Sequence, residues 1–311
     1  MTGTAGTTTT RILCLVGATG TGKSSAALAI GHLCNGEVIN FDSRQVYADV
    51  PVVTAQPTPE EQQEMPHHLY GFLGCDESLS AGGFTDLARK VISGCRSRGR
   101  LPILVGGTGL YLRALLRGLA PIPDIPGEVR LRWRHAAEEK GAAALHALLA
   151  EVDPQSARRI AAQDVQRITR ALEVHDFTGK TISWWHSQVP PDPGYEALKI
   201  GLHLDWDELK GKLERRIELM LSQGALEEVG RAWERCPDSS ASLWTGIGCR
   251  ELLEVVRGRM TLEQARVLWL KNTRSYAKRQ MTWFRKDPDI QWFHPGEHRA
   301  MVRAAVGWGE G

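Results

Sequence analysis

Apolar residues gather early in the chain into short unbroken runs, each ending on a small or acidic residue. Ile12-Leu-Cys-Leu-Val16 runs into Gly17, Glu37-Val-Ile-Asn-Phe41 into Asp42, and Leu101-Pro-Ile-Leu-Val105 into Gly106-Gly107. A run with little polar alternation predicts a strand covered on both faces, the habit of parallel sheets. Leu198-Lys-Ile-Gly-Leu-His-Leu204 reads as a fourth such strand, and a helix is expected from about Lys23 to Leu33. Strands separated by helical stretches predict an α/β fold with a mainly parallel sheet flanked by helices.

The strand signal stops between about Ala120 and Tyr195. Pro121-Ile-Pro-Asp-Ile-Pro126 reads as a linker out and Val189-Pro-Pro-Asp-Pro193 as the return. Between them Asp153-Pro154 offers an N-cap followed by a first-turn proline, and Asp164 a second N-cap. Val165, Ile168, Leu172 and His175 follow at helical spacing, with Gly179 near the stop. Residues 120–195 are therefore expected to form an inserted helical subdomain, with 11–119 and 196–311 forming one core. From Asp207 onward the pattern is helical again. Trp269, Tyr276 and Trp283 recur every seven residues, so a helix turns them to one inward face. Lys271, Arg274, Lys278 and Arg285 fall roughly opposite, an exposed basic stripe suited to a phosphate backbone or simply to solvent.

Composition narrows the class without naming it. A net charge of +2 over 311 residues excludes a strongly basic nucleic-acid coat, so any RNA contacts must be concentrated. Six cysteines without a C-x-x-C pair argue against a zinc site and a disulfide framework, and favour a reducing, cytoplasmic setting. Residues 1–10 are small and polar and read as a disordered tail rather than a signal peptide. No run of about 18 apolar residues is present, so no membrane helix is expected.

The strongest chemical signal is Gly17, Ala18, Thr19, Gly20, Thr21, Gly22, Lys23 and Ser24, a complete G-x-x-x-x-G-K-[ST] between a strand and a helix. The glycines let backbone amides curl around phosphate oxygens, and the helix start adds favourable potential. Lys23 would neutralise phosphate charge and Ser24 would ligate magnesium. The motif specifies a polyphosphate, not a nucleotide. Asp42 follows the second strand, which in a parallel sheet brings it to the carboxyl edge beside this loop. There it could hold magnesium through water, act as a general base, or merely cap a helix. Gly106-Gly107 before Thr108 allow close approach of a ligand at the same edge. The His67-His68 pair, without further ligands nearby in sequence, reads as packing or capping rather than a metal site.

Taken together, five further segments and this loop resemble one family, the tRNA dimethylallyltransferases. They are Asp42-Ser-Arg-Gln-Val-Tyr47, Pro66-His-His-Leu69, Val105-Gly-Gly-Thr-Gly-Leu-Tyr111, Asp164–Val174 with Thr178-Gly-Lys180, and Thr273–Arg285. The likeness runs in order from Arg11 to Phe293. It implies a P-loop NTPase-like core that holds dimethylallyl diphosphate with Mg2+ instead of ATP. It also implies an acceptor, the N6 amine of the adenosine 3′ of the anticodon in a tRNA anticodon stem-loop. A monomer is expected. By the same resemblance Asp42 takes the amine proton, Thr108 holds the amine or the diphosphate, and Arg216 stabilises the departing pyrophosphate. Asp42, Ser43, Arg44, Gln45, Thr108, Arg130, Gln166, Arg167, Ile168, Thr169 and Arg170 are the implied tRNA contacts, and Lys278 and Arg285 of the basic stripe are expected to join them.

The sequence departs from the family at Ala18, where proline is usual, and at Gln56, where lysine is usual. Lys212 stands for a common arginine and Cys249 for a common tyrosine. None of these removes a group assigned to the chemistry. The lack of a C-terminal zinc finger fits the bacterial form. The nearest rival is an adenylate isopentenyltransferase acting on free nucleotide, which needs neither the helical insertion nor the basic stripe. A small-molecule kinase is a further alternative, without the paired arginines of a kinase lid.

Overall fold

The computed structural model describes residues 9–189 and 194–309. Residues 1–8 of the expected 1–10 tail, and 190–193 of the proline-rich return, lie outside them. In chain order the elements are β1 (Thr10–Gly17), α1 (Lys23–Cys34), β2 (Gly36–Asn40), α2 (Pro51–Thr54), α3 (Pro59–Glu64) and β3 (His67–His68). Then come α4 (Ala81–Ser97), β4 (Leu101–Val105), α5 (Gly109–Arg117), α6 (Gly127–Val152), α7 (Pro154–Ala157), α8 (Val165–Thr178) and α9 (Ile182–His186). The chain finishes with β5 (Tyr195–Leu202), α10 (Trp206–Ser222), α11 (Ala225–Arg235), α12 (Cys249–Val256), α13 (Leu262–Phe284), β6 (Ile290–Phe293) and α14 (His298–Gly309).

All six strands join one parallel sheet in the order β3-β2-β4-β1-β5-β6. Side chains alternate across each strand, so both faces must be covered. On one face Ile12, Cys14, Val16, Ile39, Phe41 and Leu104 pack with Phe84, Ala88 and Ile92 of α4 and Leu112 and Leu115 of α5. On the other, Leu13, Leu15, Val38, Ile103 and Ile200 meet Ala26, Ala27 and Ile30 of α1 and Met301 and Ala305 of α14. A third cluster, around Trp244 and Trp269, joins α10, α11, α12 and α13.

The chain separates into two compact units, one running to Leu116 and resuming at Gly194, the other beginning at Arg117. The second unit has its own core of Leu145, Leu149, Ala157, Ile168, Ala171 and Leu172. Its caps follow the sequence pattern: Asp153 accepts from the Ser156 amide and Asp164 from the Arg167 amide. Gly179 closes α8 in the left-handed region at φ 66°.

Four expectations are corrected. Cys75 and Cys236 form a disulfide across 161 residues, so cysteine spacing misjudged the pairing and lends no support to a reducing compartment. The stretch after Asp207 is not wholly helical, because β6 adds an edge strand of only four residues, too short to stand out as a run. The tail expected over residues 1–10 stops short of Thr10, which opens β1 opposite Tyr195. Trp283 is not turned inward: it is 38% exposed, and the buried face of α13 passes through Trp269, Ala277, Gln280 and Phe284. A true helix advances 3.6 residues per turn, so a seven-residue series drifts off any fixed contact.

Candidate active site

Backbone conformation shapes the loop between β1 and α1 into one that can cradle a phosphate. Gly17 has φ 140°, and a Cβ there would stand 2.4 Å from the Leu202 carbonyl oxygen. Gly22, the N-cap of α1, sits in the left-handed region at φ 93°. No side chain caps that helix and its first turn holds no acid, so its free amides and positive potential remain for an anion. Lys23 curls back over the loop, its ammonium donating to the carbonyls of Ala18 at 2.8 Å and Gly17 at 3.1 Å. Burial lowers the Lys23 pKa to about 8 against the pull of Asp42, and Arg216 lowers it further. Burial also lowers Arg216, with Asp42 opposing. Thus α1 and α10 bring two cations toward one carboxylate. Among the described residues no ion pair closes between them.

Asp42 caps no helix. Its Oδ1 accepts from the Arg44 amide at 2.8 Å, a tight turn just past β2. Asn40, almost fully buried, accepts from the Asp42 amide at 2.7 Å and donates to the Asp42 and Leu69 carbonyls. The carboxylate is therefore held at its root. Beside it, the Thr108 hydroxyl accepts from the Ser43 amide at 3.0 Å and donates to the Ser43 hydroxyl at 3.3 Å. Tyr276 of α13 comes against the same hydroxyl, and burial pushes its phenol pKa upward, with Asp42 adding to the rise. Tyr70 is raised by burial and then by Asp42 as well.

The other expected contact residues divide. Arg44 reaches the Thr245 hydroxyl at 2.9 Å and the Ser242 carbonyl. Gln45 is spent internally, donating to the Thr54 and Ala55 carbonyls. Gln56, in place of the usual lysine, donates to the Tyr47 carbonyl at 2.7 Å. Lys278 lies over the Trp206 ring at 4.8 Å and is exposed, as is Arg285 at the end of α13. Lys278 also lines a groove of about 870 Å³ between α10 and α13, together with Arg215, Lys271 and Arg274.

On the second unit, Arg130, Gln166 and Arg167 are exposed, while Thr169 and Arg170 are half-buried. Arg167 pairs with Asp164 and Arg170 with Glu173. Ile168 is wholly buried in that unit's core, so the expectation that it contacts RNA through its side chain is corrected. It anchors the helix whose neighbours are exposed.

The IPP transferase family profile matches residues 45–287. The chain belongs to the tRNA dimethylallyltransferase (IPP transferase) family. The tRNA dimethylallyltransferase of Maridesulfovibrio salexigens is 52% identical over 298 residues, covering 96% of this chain and 97% of that one. That of Oleidesulfovibrio alaskensis is 52% identical over 293 residues, covering 94% and 96%. Among solved structures, the tRNA isopentenylpyrophosphate transferase of Bacillus halodurans aligns with a TM-score of 0.71 at 33% identity, covering 97% of each chain. A eukaryotic dimethylallyltransferase acting on tRNA aligns with a TM-score of 0.81 at 26% identity, covering 96% of this chain and 80% of that one. The dimethylallyltransferase family thus accounts for nearly the whole chain, and the expectation drawn from the ordered motifs holds.

Sequence reading missed Asn40 and Gln280, and took Tyr276 for a packing residue alone. Asn40 lay inside an apolar run, where a lone polar residue is a usable signal of a buried hydrogen-bonding role. Gln280 and Tyr276 gave no such signal, because their partners lie more than 160 residues away.

Proposed function

We propose that this prenyltransferase moves the dimethylallyl group of dimethylallyl diphosphate to the N6 amine of the adenosine 3′ of the anticodon in tRNA. The observation that carries the reading is the meeting of Lys23, Arg216 and Asp42 at the rim of an uncapped helix start, beside Thr108. Two cations brought together around a phosphate-binding loop suit a diphosphate leaving group, which ionises readily only when its charge is neutralised. The hard hydroxyl oxygen of Ser24, on the first turn of the uncapped α1, fits Mg2+. When bound, that ion would add to the neutralisation of the diphosphate.

The residues of this chain do the rest. Lys23 would leave its carbonyl partners for a diphosphate oxygen, and Arg216 would bind the opposite side of the same group. The N6 lone pair of adenine attacks the allylic carbon while the carbon–oxygen bond breaks, its electron pair leaving with pyrophosphate. The amine proton passes to Asp42, because an aryl amine is a poor nucleophile without a base. Thr108, fixed by Ser43, would orient the amine. The target base must leave its stack to reach this site. The exposed Arg130, Gln166 and Arg167, with the basic groove along α13, offer the cations and polar groups that a tRNA backbone needs.

The test is transfer of radiolabelled dimethylallyl from its diphosphate to an unmodified anticodon stem-loop, with free AMP in parallel. Label in the RNA alone, lost when the target adenosine is replaced, is the expected result. Label in AMP would move the chain to the free-nucleotide branch. Label in neither, with ATP hydrolysed, would sink the reading.

A further inference from the structure

Gln280 links the two halves of the site. Its Oε1 accepts from the Thr19 amide in the phosphate loop at 2.9 Å, and its Nε2 donates to the Gly107 carbonyl at 3.2 Å. The side chain is 5% exposed. Its orientation is unambiguous, since an amide N–H can face only the oxygen and a carbonyl can face only the NH2 group. The partners lie 261 and 173 residues away in sequence, on the loops after β1 and β4.

The fit is close. A Cβ on Gly107 would stand 1.9 Å from Gln280 Nε2 and 3.5 Å from Asp42 Oδ2, so only glycine lets the amide sit there. The next residue, Thr108, takes the Ser43 amide. One buried side chain of α13 therefore ties the diphosphate loop to the strand end that carries the acceptor-side groups.

We infer that Gln280 is a positioning residue that sets the distance between the donor cradle and the Asp42–Thr108 side. The inference rests on the donor and acceptor sides proposed above. The allylic carbon and the adenine amine must meet in line at near-contact distance, and a misplacement of about 1 Å can lower the rate about a hundredfold. No other side chain among the described residues hydrogen-bonds both loops.

The experiment compares wild type with Gln280→Met, which keeps the volume and apolar packing but loses both hydrogen bonds. Single-turnover transfer is measured at saturating dimethylallyl diphosphate and anticodon stem-loop, with KM for each and the melting temperature. The expected result is a rate about 10- to 100-fold lower, with each KM within about threefold and melting still cooperative. A wild-type rate, or a loss confined to KM, overturns the inference.

Gly107→Ala is the second variant, since it pushes the Gln280 amide aside while residue 280 stays native. It should show the same loss of single-turnover rate with little change in KM. A wild-type rate in this variant also overturns the inference. Failure of the underlying reading looks different, because wild type itself then transfers no label to the RNA.

Discussion

Strand β2 has a carboxylate near each end, Glu37 at its start and Asp42 just past its finish, and the surroundings of the two are opposite. Glu37, 3% exposed, receives both arms of the Arg98 guanidinium at 3.1 and 2.7 Å, His68 Nε2 at 2.7 Å and the Cys95 thiol at 3.3 Å. Those bonds, Arg98 first, hold its pKa at about 2 against burial. Glu37, His68 and Cys95 have the spacing of a metal site, but Arg98 already supplies the countercharge. At the other end, Asp42 has a backbone amide as its hydrogen-bond donor and two partly buried cations nearby without an ion pair. One end of the strand is electrostatically finished. The other leaves two cations without an ion-pair partner beside a carboxylate, the arrangement that the proposed transfer uses.

Exchanging a single atom at each end tests this contrast. Asp42→Asn keeps the oxygen that the Arg44 amide uses but removes the base, so transfer should fall about 10²- to 10⁴-fold while stem-loop affinity is largely kept. Loss of RNA binding with unchanged turnover at saturation would refute the base role. Lys23→Ala removes one of the two cations. Single-turnover transfer should drop about 10²- to 10³-fold, with the melting temperature little changed because Lys23 bonds only to carbonyls of its own loop.

At the finished end the readout inverts. Glu37→Gln should cost about 1–3 kcal/mol in a denaturant melt, moderated because Arg98 is half-exposed and can return to water. Transfer per folded molecule should stay within about twofold of wild type. A large fall in rate there would erase the distinction between the two ends.

Titration separates the same two ends without a substitution. With a folded pKa of about 8, Lys23 loses its proton as pH rises through that value. The donor KM should then climb by up to about tenfold per pH unit, while the rate at saturation moves less. Glu37 is depressed, so its contribution to stability is complete above about 4.5 and is lost as pH falls toward about 2. Donor titrations from pH 7 to 10 and melts from pH 6 to 2 separate the two.

How much of this was legible beforehand differs by region. The apolar runs before Gly17, Asp42 and Gly106 marked three strands and placed three loops at one sheet edge, because parallel strands all end on the same side. The phosphate loop was legible for the same reason: its glycines, lysine and serine act within eight consecutive residues. The network around Glu37 was not, since Cys95 comes from α4 and Arg98 from its C-cap, and no local pattern announces a partner about 60 residues away. The Cys75–Cys236 disulfide and the outward Trp283 were misread on equally local grounds.

By itself, then, the sequence determined the chain's secondary structure in outline, its glycine-rich loop motif and its family, all of which follow from periodicity and from contiguous motifs. Only the tertiary structure decided that Gln280 bridges Thr19 and Gly107, that Tyr276 meets Thr108, and that Ile168 is core while Arg167 is surface. Local pattern governs hydrogen bonds that close within a few residues. Burial and charge complementarity depend on which distant segments the sheet order brings side by side.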